Sequence, residues 1–370
     1  MIAEEKRNVR NSPSEVNKMK KKSYVLLSFL LVITFALSAC AQKQYSAYEG
    51  ETNTLYESTY NLYWTDDSHF ITARLDGVMS IYEVNESNHN EITLTDSFAT
   101  PESNPITTLA KSKEDEYIVS DGTDKISVFT AKGSNVTFKS TLNYDTGSGP
   151  LNSGTYADGY FVSGHDNGDI LFWKDNGDGY TLEGYLSLKS PNKLDSPYDI
   201  HNIRCIQGVC EGKVVTCAED GDICLVDVNK QAIINRIRYR SNNPKRGMNY
   251  LYYDNGYLLT TNCAVDKEEN LNLYKIENNE IKMLDSIRVV HDTSRNNILS
   301  NTVYLKDGKF LVATSEGYIF RGVIDNNKLT VQEYLGNGTD TLAPVFSLNP
   351  KTSMLAYSLY DISVCKIDFS

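Results

Sequence analysis

The motifs that mark several large enzyme classes are missing from this chain of 370 residues. The sequence has no Walker phosphate-binding loop, no His-Glu-x-x-His zinc pair, no Gly-x-Ser-x-Gly nucleophile turn and no Gly-x-Gly-x-x-Gly dinucleotide fingerprint. No long helical pattern follows residue 40, and proline is scarce at nine residues. These absences argue against nucleotide-dependent, zinc-protease and α/β-hydrolase chemistry, and against a helical fold.

Positive charge is also scarce. Residues 40–370 hold 29 basic and 45 acidic residues, a net charge of −16. Such a charge repels phosphate backbones and anionic lipid surfaces, so we expect neither nucleic acid nor peripheral membrane binding. Tyrosine, by contrast, is abundant at 25 residues, and with Asn, Gly and Asp turns it favours a β-rich fold.

The stretch Tyr160–Trp173 shows the local pattern most clearly. Two short apolar strands, Tyr160–Ser163 and Ile170–Trp173, flank Asn167-Gly168, and Asn-Gly is the strongest short signal for a hairpin turn. The second strand has no polar residue. We therefore predict that neighbouring elements cover it on both faces.

Related hairpins recur along the chain. With this one there are seven, at Ile71–Val84, Tyr117–Phe129, Tyr160–Trp173, Lys213–Val228, Tyr257–Ile276, Phe310–Val323 and Met354–Phe369. Their turn centres lie 44 to 53 residues apart. A period in the forties, built from short strands and Gly or Asp turns, is typical of β-propeller blades. The sequence therefore predicts an all-β, seven-bladed β-propeller.

The hairpins are flanked by further strand-like segments. A candidate inner strand precedes each hairpin, and a candidate outer strand such as Val136–Leu142 or Ala232–Tyr239 follows each of the first six. The chain stops after the third strand of the seventh blade, which would leave an open edge. The segment Thr52–Tyr60 has no partner of its own, so we predict that it completes the last blade and closes the ring. The propeller domain is thus predicted to span residues 52–370.

The N-terminus has the features of an export signal. A basic cluster, Met19–Lys22, precedes the apolar run Tyr24–Leu37, and small residues follow before Cys40. The apolar run of fourteen residues is short for a membrane span. Met19 is the expected natural start. A transmembrane anchor with an incidental cysteine is the alternative interpretation.

The tetrapeptide Leu-Ser-Ala-Cys that ends at Cys40 resembles the lipobox of bacterial lipoproteins. The resemblance implies that residues 1–39 are a signal peptide, that Cys40 carries acyl chains such as palmitate, and that residues 40–51 are a lipidated tether. It implies an extracytoplasmic protein anchored by lipid to a membrane. That membrane would be the outer membrane of a Gram-negative cell, since Ala41 is no retention signal, or the cell membrane of a Gram-positive one.

Six cysteines besides Cys40 raise the question of disulfides in an exported protein. Four of them lie in the fourth blade: Cys205, Cys210, Cys217 and Cys224. Their spacings do not match a zinc site, so no metal is predicted. If Asp220-Gly221 is a two-residue turn, Cys217 and Cys224 face each other and form the one disulfide to test. The alternative is that these cysteines are buried as small apolar side chains.

Ligands of β-propellers usually bind at the rim formed by the loops before the inner strands and between the second and third strands. The loops predicted for that rim carry His201, His291, Asp195, Asp199, Asp292 and Arg295. A histidine near a carboxylate can act as a general acid–base pair, but no spacing here identifies a catalytic site. We treat these residues as a candidate ligand-binding rim, and we predict no catalytic residue and no cofactor.

Three further features have ordinary explanations. His165, in the turn of the Tyr160–Trp173 hairpin, is predicted to be exposed and to stabilise the turn, with a place on the binding rim as the alternative. A basic group is predicted to form an exposed strand face and loop, with an acidic partner or glycan as the alternative; it comprises Arg236, Arg238, Arg240, Lys245 and Arg246. Residues 175–179 are predicted to form a plain turn, because their acids do not occupy the positions that a calcium loop uses.

The hairpins Val162–Trp173 and Val215–Val228 resemble WD-repeat blades, and Asp220–Ile234 is also similar to the blades of quinoprotein-type propellers. The first resemblance implies a rigid platform for protein partners. The second implies a link to lipoproteins that serve in outer-membrane protein assembly. Because Trp173 precedes a lysine and the only Gly-His pair falls in a different loop, the Asp/His/Ser/Trp network of WD repeats is not predicted.

The sequence thus predicts a non-enzymatic, membrane-anchored propeller that binds a protein partner at the cell envelope. The alternatives are an exported propeller enzyme, of glycan lyase, hydrolase or quinoprotein type, and a subunit of an envelope-assembly machine. A dense His/Asp/Arg cluster at the mouth of the central channel would favour the enzyme. A tyrosine-rich or apolar rim would favour the scaffold.

Overall fold

The computed structural model describes residues 59–74, 77–85, 87, 91–101, 104–189, 201–239, 247–265, 267–295, 297–336, 345–358 and 362–367. Within these ranges the regular structure consists of 27 β-strands. None of these residues belongs to a helix that is long and apolar enough to cross a membrane. The predicted signal peptide, Cys40 and the tether lie outside the described residues.

The strands form seven consecutive antiparallel groups, which we number as blades 1 to 7. Blade 1 contains β1 (Thr59–Trp64), β2 (His69–Arg74), β3 (Val78–Val84) and β4 (Ile92–Ala99). Blade 2 contains β5 (Thr108–Lys113), β6 (Glu116–Ser120), β7 (Lys125–Lys132) and β8 (Asn135–Asn143). Blade 3 contains β9 (Leu151–Ala157), β10 (Tyr160–His165), β11 (Asp169–Asp175) and β12 (Tyr180–Ser187). Blade 4 contains β13 (Ile203–Val209), β14 (Lys213–Ala218), β15 (Asp222–Asp227) and β16 (Ala232–Arg238).

The remaining strands build the last three blades. Blade 5 contains β17 (Met248–Asp254), β18 (Tyr257–Val265), β19 (Leu271–Glu277) and β20 (Glu280–Ile287). Blade 6 contains β21 (Asn297–Lys306), β22 (Lys309–Thr314), β23 (Tyr318–Asp325) and β24 (Lys328–Gly336). Blade 7 contains β25 (Val345–Asn349), β26 (Met354–Ser358) and β27 (Ile362–Lys366). The predicted all-β, seven-bladed arrangement is confirmed.

Within each blade every strand pairs antiparallel with the next strand in sequence. Blades 5 and 6 are joined as well, because the end of β18 pairs with the start of β21, where Ala264 lies opposite Ile298. In the described part of the protein the other blades form separate sheets. Contacts between those sheets are therefore made by side chains.

The β10–β11 hairpin illustrates why the sequence folds in this way. Gly168 closes the turn with a φ of +90°, and a Cβ at this position would lie 2.8 Å from the Cβ of His201. Successive residues of β11 face opposite neighbours, since Phe172 packs against blade 4 and Leu171 against blade 2. The prediction that this apolar strand is covered on both faces is confirmed.

Among the described residues the hydrophobic core divides into seven clusters, one at each interface between neighbouring blades. The cluster between the last and the first blade contains Trp64 and Phe70 of blade 1 with Met354 and Val364 of blade 7. The Trp64 indole also donates a hydrogen bond to the carbonyl of Ser347 at 2.9 Å. Seven blades with seven interfaces form a closed ring.

Blade 7 has three described strands, whereas each other blade has four. The sequence predicts Thr52–Tyr60 as the fourth. Thr59 and Tyr60 belong instead to β1 in blade 1, and residues 52–58 lie outside the described residues. Completion of blade 7 by residues 52–58 therefore stays a prediction.

Two proline substitutions test this strand. Successive residues of an edge strand point their amide hydrogens to opposite sides, so proline disrupts pairing at one position and is tolerated at the next. If residues 52–58 pair with β27, Leu55→Pro and Tyr56→Pro should differ, one lowering the melting temperature by several degrees and the other changing it little. Gln44→Pro, in the predicted tether, is the control. Equal and negligible effects at both positions would contradict the prediction.

Candidate functional site: the central channel

A channel runs along the axis of the ring, and the innermost strand of every blade contributes to its wall. The channel contains a cavity of about 450 Å³. The strands that line it are β1, β5, β9, β13, β17, β21 and β25. This cavity is therefore the place where the fold brings all seven blades together.

Among the described residues that line the cavity, Arg204 on β13 alone carries a charged side chain. It is the second residue of its strand, so it lies near the end of the channel at which the inner strands begin. Its guanidinium lies 3.8 Å from the carboxylate of Glu219, and the two side chains are 43% and 41% exposed. Solvent screens such a pair, so Arg204 is a channel cation with a loosely held counterion.

Much of the remaining wall is aromatic or polar without charge. It includes Asn61, Asn152 and Asn249, together with Tyr63, Tyr250, Tyr252 and Tyr304. The rings of Tyr252 and Tyr304 lie 5.3 Å apart. Burial raises the pKa of Tyr250 well above its usual value. The wall thus combines aromatic faces with hydrogen-bonding groups.

Side chains of the inner strands bond to the backbone of the next blade and so fix the channel wall. The Thr108 hydroxyl donates to the carbonyl of Leu151 at 3.0 Å, which joins blades 2 and 3. The Gln207 amide joins blades 4 and 5, because it accepts from the Tyr253 amide at 2.7 Å and donates to the Tyr253 carbonyl at 3.3 Å. These bonds satisfy backbone groups that the sheets leave unpaired at their inner edges.

One part of the predicted rim lies against blade 4. The Nδ1 atom of His201 is 2.8 Å from a carboxylate oxygen of Asp220, which is buried. Asp195 and Asp199 lie outside the described residues.

The other part of the predicted rim lies against blade 6. The Nδ1 atom of His291 is 2.5 Å from the carboxylate of Glu333, and its ring stacks on Tyr318 with centroids 4.1 Å apart. The hydrogen bond to Glu333 raises the pKa of His291. Arg295 follows on the same loop, where its carbonyl accepts a hydrogen bond from Arg288. The two histidines are thus held in different blades.

The arginines of β16 are paired with buried acids, so the prediction of an exposed basic strand face is wrong for Arg236 and Arg238. Arg238 Nε lies 2.7 Å and Arg236 Nη1 3.2 Å from the Asp222 carboxylate. Burial and the neighbouring Asp220 raise the pKa of Asp222, although the two arginines oppose that shift. Three members of the basic group lie outside the described residues: Arg240, Lys245 and Arg246.

A second group of titratable side chains lies between blades 2 and 3. The carboxylate of Glu116 is buried and accepts hydrogen bonds from Ser112 at 2.7 Å, from Lys139 at 2.8 Å and from Tyr180. Although burial opposes ionisation, these hydrogen bonds hold the pKa of Glu116 below its usual value. The group stabilises the interface between the two blades. In the described part of the protein, no three His, Cys, Asp or Glu side chains are arranged to hold a metal ion.

His165 is buried, so the prediction that it is an exposed turn residue is wrong. Its Nδ1 donates to the carbonyl of Gly149 at 2.8 Å, which leaves Nε2 to accept from the Ser163 hydroxyl, also at 2.8 Å. That hydroxyl accepts in turn from the Trp173 indole at 2.9 Å. Burial lowers the pKa of His165 and so favours the neutral ring. Blade 3 therefore contains a His/Ser/Trp hydrogen-bond relay that was not predicted.

The geometry predicted for Cys217 and Cys224 is wrong by one residue, and both are free thiols. Three residues rather than two form the turn, so Cys217 lies opposite Ile223 and Cys224 opposite Thr216. Cys217 consequently packs towards blade 5 and Cys224 towards blade 3. The cross-strand neighbour of Cys217 is Cys205 on β13.

Arg204 and the channel tyrosines are absent from the sequence predictions, which placed binding residues on loops. The inner strands rather than the loops build the channel wall. A single cation between Ile203 and Cys205, in a short and otherwise uncharged strand, is the signal in the sequence that marks this position.

Seven antiparallel blades around an open axis define the class: this protein is a seven-bladed β-propeller. Among solved structures it is similar to the β-propeller domain of Cps50 (Swd1) from Myceliophteria thermophila. The TM-score is 0.65 at 11% identity, over 86% of this protein and 99% of that domain. No protein-family profile and no curated protein matches the sequence. Likeness at this identity establishes the fold, and function must be argued from the site.

The buried histidine makes stability depend on pH. Because the pKa of His165 is lowered in the folded protein, the unfolded protein takes up the proton first, below about pH 6.5. The stabilisation by His165 should be complete above that pH and decline as the pH falls. We expect His165→Gln to cost about 1–3 kcal/mol at pH 8 and less at pH 5, measured by urea unfolding.

His291→Gln is the control with the opposite sign. Because Glu333 raises the pKa of His291, its stabilisation is present at low pH and is lost as the pH rises through the folded-state pKa. If the loss in free energy of unfolding caused by His165→Gln does not change with pH, the pKa of His165 is the same in the folded and the unfolded protein, and the prediction is wrong.

The exposure of each free cysteine predicts whether a thiol-specific reagent can label it in the native protein. Maleimide should modify the exposed Cys210 in the native protein. The buried Cys217, Cys224 and Cys365 should react only after denaturation, since burial raises the pKa of Cys224 to about 12. Peptide mass spectrometry without reductant measures each site, and Cys210→Ala is the control. If Cys217 and Cys224 stay unlabelled in the denatured protein until a reductant is added, they form a disulfide, and their description as free thiols is wrong.

Proposed function

We propose that this protein is a non-enzymatic β-propeller, anchored to a membrane by lipid, that binds a protein partner outside the cytoplasm. The observation that carries the proposal is the channel wall, which presents tyrosines and amides around one arginine. Tyrosine and arginine are enriched at protein interfaces, because they combine apolar area with hydrogen bonding. Such a wall suits a binding platform better than acid–base chemistry.

The rigidity of the ring supports the same role. Apolar side chains pack at each blade interface, and hydrogen bonds such as those of Gln207 lock neighbouring inner strands together. A surface that is already ordered loses little conformational entropy when a partner binds. Ordering of the site therefore takes little away from the binding free energy of such a platform.

The anchor rests on the sequence. The basic cluster from Met19, the short apolar run and the tetrapeptide ending at Cys40 together support lipidation of Cys40 and removal of residues 1–39. Residues 41–51 would then give the ring a flexible reach of roughly 20 Å from the membrane. The membrane is the outer membrane if the cell is Gram-negative and the cell membrane if it is Gram-positive.

A second candidate is an exported propeller enzyme of glycan lyase, hydrolase or quinoprotein type. One observation favours it: His201 lies 2.8 Å from the buried carboxylate of Asp220, as in an acid–base pair. Asp220 is also 3.8 Å from Arg238, which ties it to the ion pairs inside blade 4. An envelope-assembly subunit is a narrower form of the first proposal, in which the partner is another component of the assembly machine.

Crosslinking and pull-down from membranes test the proposal, with the wild type and Cys40→Ala compared. The wild type should fractionate with membranes and crosslink to a specific protein. Cys40→Ala should be soluble, because each lost methylene removes about 0.8 kcal/mol of membrane affinity. Cys210→Ala, which removes an exposed cysteine, is the matched control and should stay on the membrane.

The lipid anchor and the binding of a protein partner can be tested independently. Membrane binding of Cys40→Ala would show that the lipid anchor is wrong. A membrane-bound wild type that crosslinks to no protein would show that the scaffold role is wrong.

A further inference from the structure

The setting of Arg204 distinguishes it from other arginines of the same blade. Arg236 and Arg238 lie 2.7 to 3.2 Å from Asp222, whose side chain is 4% exposed. Both arginines are therefore engaged in ion pairs within blade 4. Arg204 faces the cavity, and its contact with Glu219 is longer and open to solvent. Its guanidinium is therefore available to a ligand.

The charge of the protein makes this position unusual. Residues 40–370 carry a net charge of −16, yet the one charged residue among the described lining is positive. A guanidinium presents a planar set of donors that matches a carboxylate in a bidentate geometry. Glu219 already occupies this neighbourhood with a carboxylate, although it is held at 3.8 Å. An incoming carboxylate would compete with Glu219 for a partly exposed guanidinium.

The groups around Arg204 indicate what the carboxylate is attached to. Asn152 and Asn249 lie in the same wall. The Asn152 amide donates to Asn202 at 2.6 Å and to the Asp166 carboxylate at 2.8 Å. The Asn249 amide donates to the Ser300 carbonyl at 2.8 Å. The side-chain oxygens of Asn152 and Asn249 can accept hydrogen bonds from the backbone N–H groups of an extended peptide. Tyrosines such as Tyr252 supply aromatic faces for its side chains.

The cavity of about 450 Å³ falls within the range of roughly 300–1,000 Å³ that is usual for ligand pockets. We propose that the channel mouth binds a carboxylate on an extended peptide segment of the partner, with Arg204 as its anchor. The carboxylate belongs either to an acidic residue or to the C-terminus of the partner. This inference rests on the proposed function and adds the chemistry that the partner must present.

Three synthetic peptides separate the two sources of the carboxylate. They are acetyl-Ala-Leu-Asp-Ala-Ala-amide, acetyl-Ala-Leu-Asn-Ala-Ala with a free C-terminus, and the neutral acetyl-Ala-Leu-Asn-Ala-Ala-amide. Each is titrated into the whole protein, and binding is followed by the NMR signals of the Asn152 and Asn249 amides. One or both of the anionic peptides should bind more tightly than the neutral peptide, and their order identifies the source.

One variant should weaken peptide binding and another should strengthen it. A misfolded variant could only weaken binding, so the pair separates an effect on the site from an effect on folding. Arg204→Gln should weaken the anionic peptide roughly tenfold or more, because hydrogen bonds to a charged group are lost. Glu219→Gln should tighten it about two- to fivefold, since it removes a competing carboxylate from a partly exposed pair. Lys132→Gln, which removes a charge from a side chain that is 84% exposed, is the matched control and should change nothing.

Equal binding of the neutral peptide, unchanged binding to Arg204→Gln or weaker binding to Glu219→Gln would each overturn the inference. The membrane crosslinking is then repeated with Arg204→Glu. If the wild type and Arg204→Glu capture the same partner equally, the scaffold stands and the arginine site fails. If the wild type captures no partner, the scaffold fails, and the peptide titrations still decide whether Arg204 binds carboxylates.

Discussion

Every blade of this protein has two apolar faces, and the need to bury both is the constraint on which the rest of the structure depends. A sheet of this kind requires a neighbour on each side, so a row of such sheets would expose one face at either end. Closing the row into a ring removes both exposed faces. The packing of Trp64 against blade 7 achieves this closure. The channel, its wall and the setting of Arg204 are consequences of that closure.

Blades 3 and 5 use different side chains to satisfy some of their buried polar groups. Blade 3 uses a relay from Trp173 through a serine to His165. In blade 5, Asn272 donates to Asn262 at 2.8 Å and accepts from Ser286 at 2.7 Å. Each solution meets the same requirement, which is that a buried donor or acceptor keeps a partner. Two blades with the same strand pattern thus bury different polar side chains.

Local features of the sequence allowed the strands to be predicted, and features set by neighbours did not. The outer strand predicted at Ala232–Tyr239 is found at Ala232–Arg238, because alternation and turn residues act over a few positions. The predicted pairing of Cys217 with Cys224 was wrong because one extra turn residue reverses the facing of Cys224 and of every other side chain that follows the turn. The burial of His165 depends on the Gly149 carbonyl and the Tyr144 ring, which are distant in sequence and which no local pattern records. For Arg204 the sequence offers a local signal, a lone cation in an uncharged strand, but the channel that it faces is formed by all seven blades.

The pairing of β18 with β21 makes the interface between blades 5 and 6 different from the interfaces between the other blades. Among the described residues the other neighbouring blades contact each other through side chains, whereas blades 5 and 6 also share backbone hydrogen bonds around Ala264 and Ile298. Any motion that widened the channel between blades 5 and 6 would have to break those backbone hydrogen bonds. Blades 5 and 6 should therefore separate less readily than any other neighbouring pair.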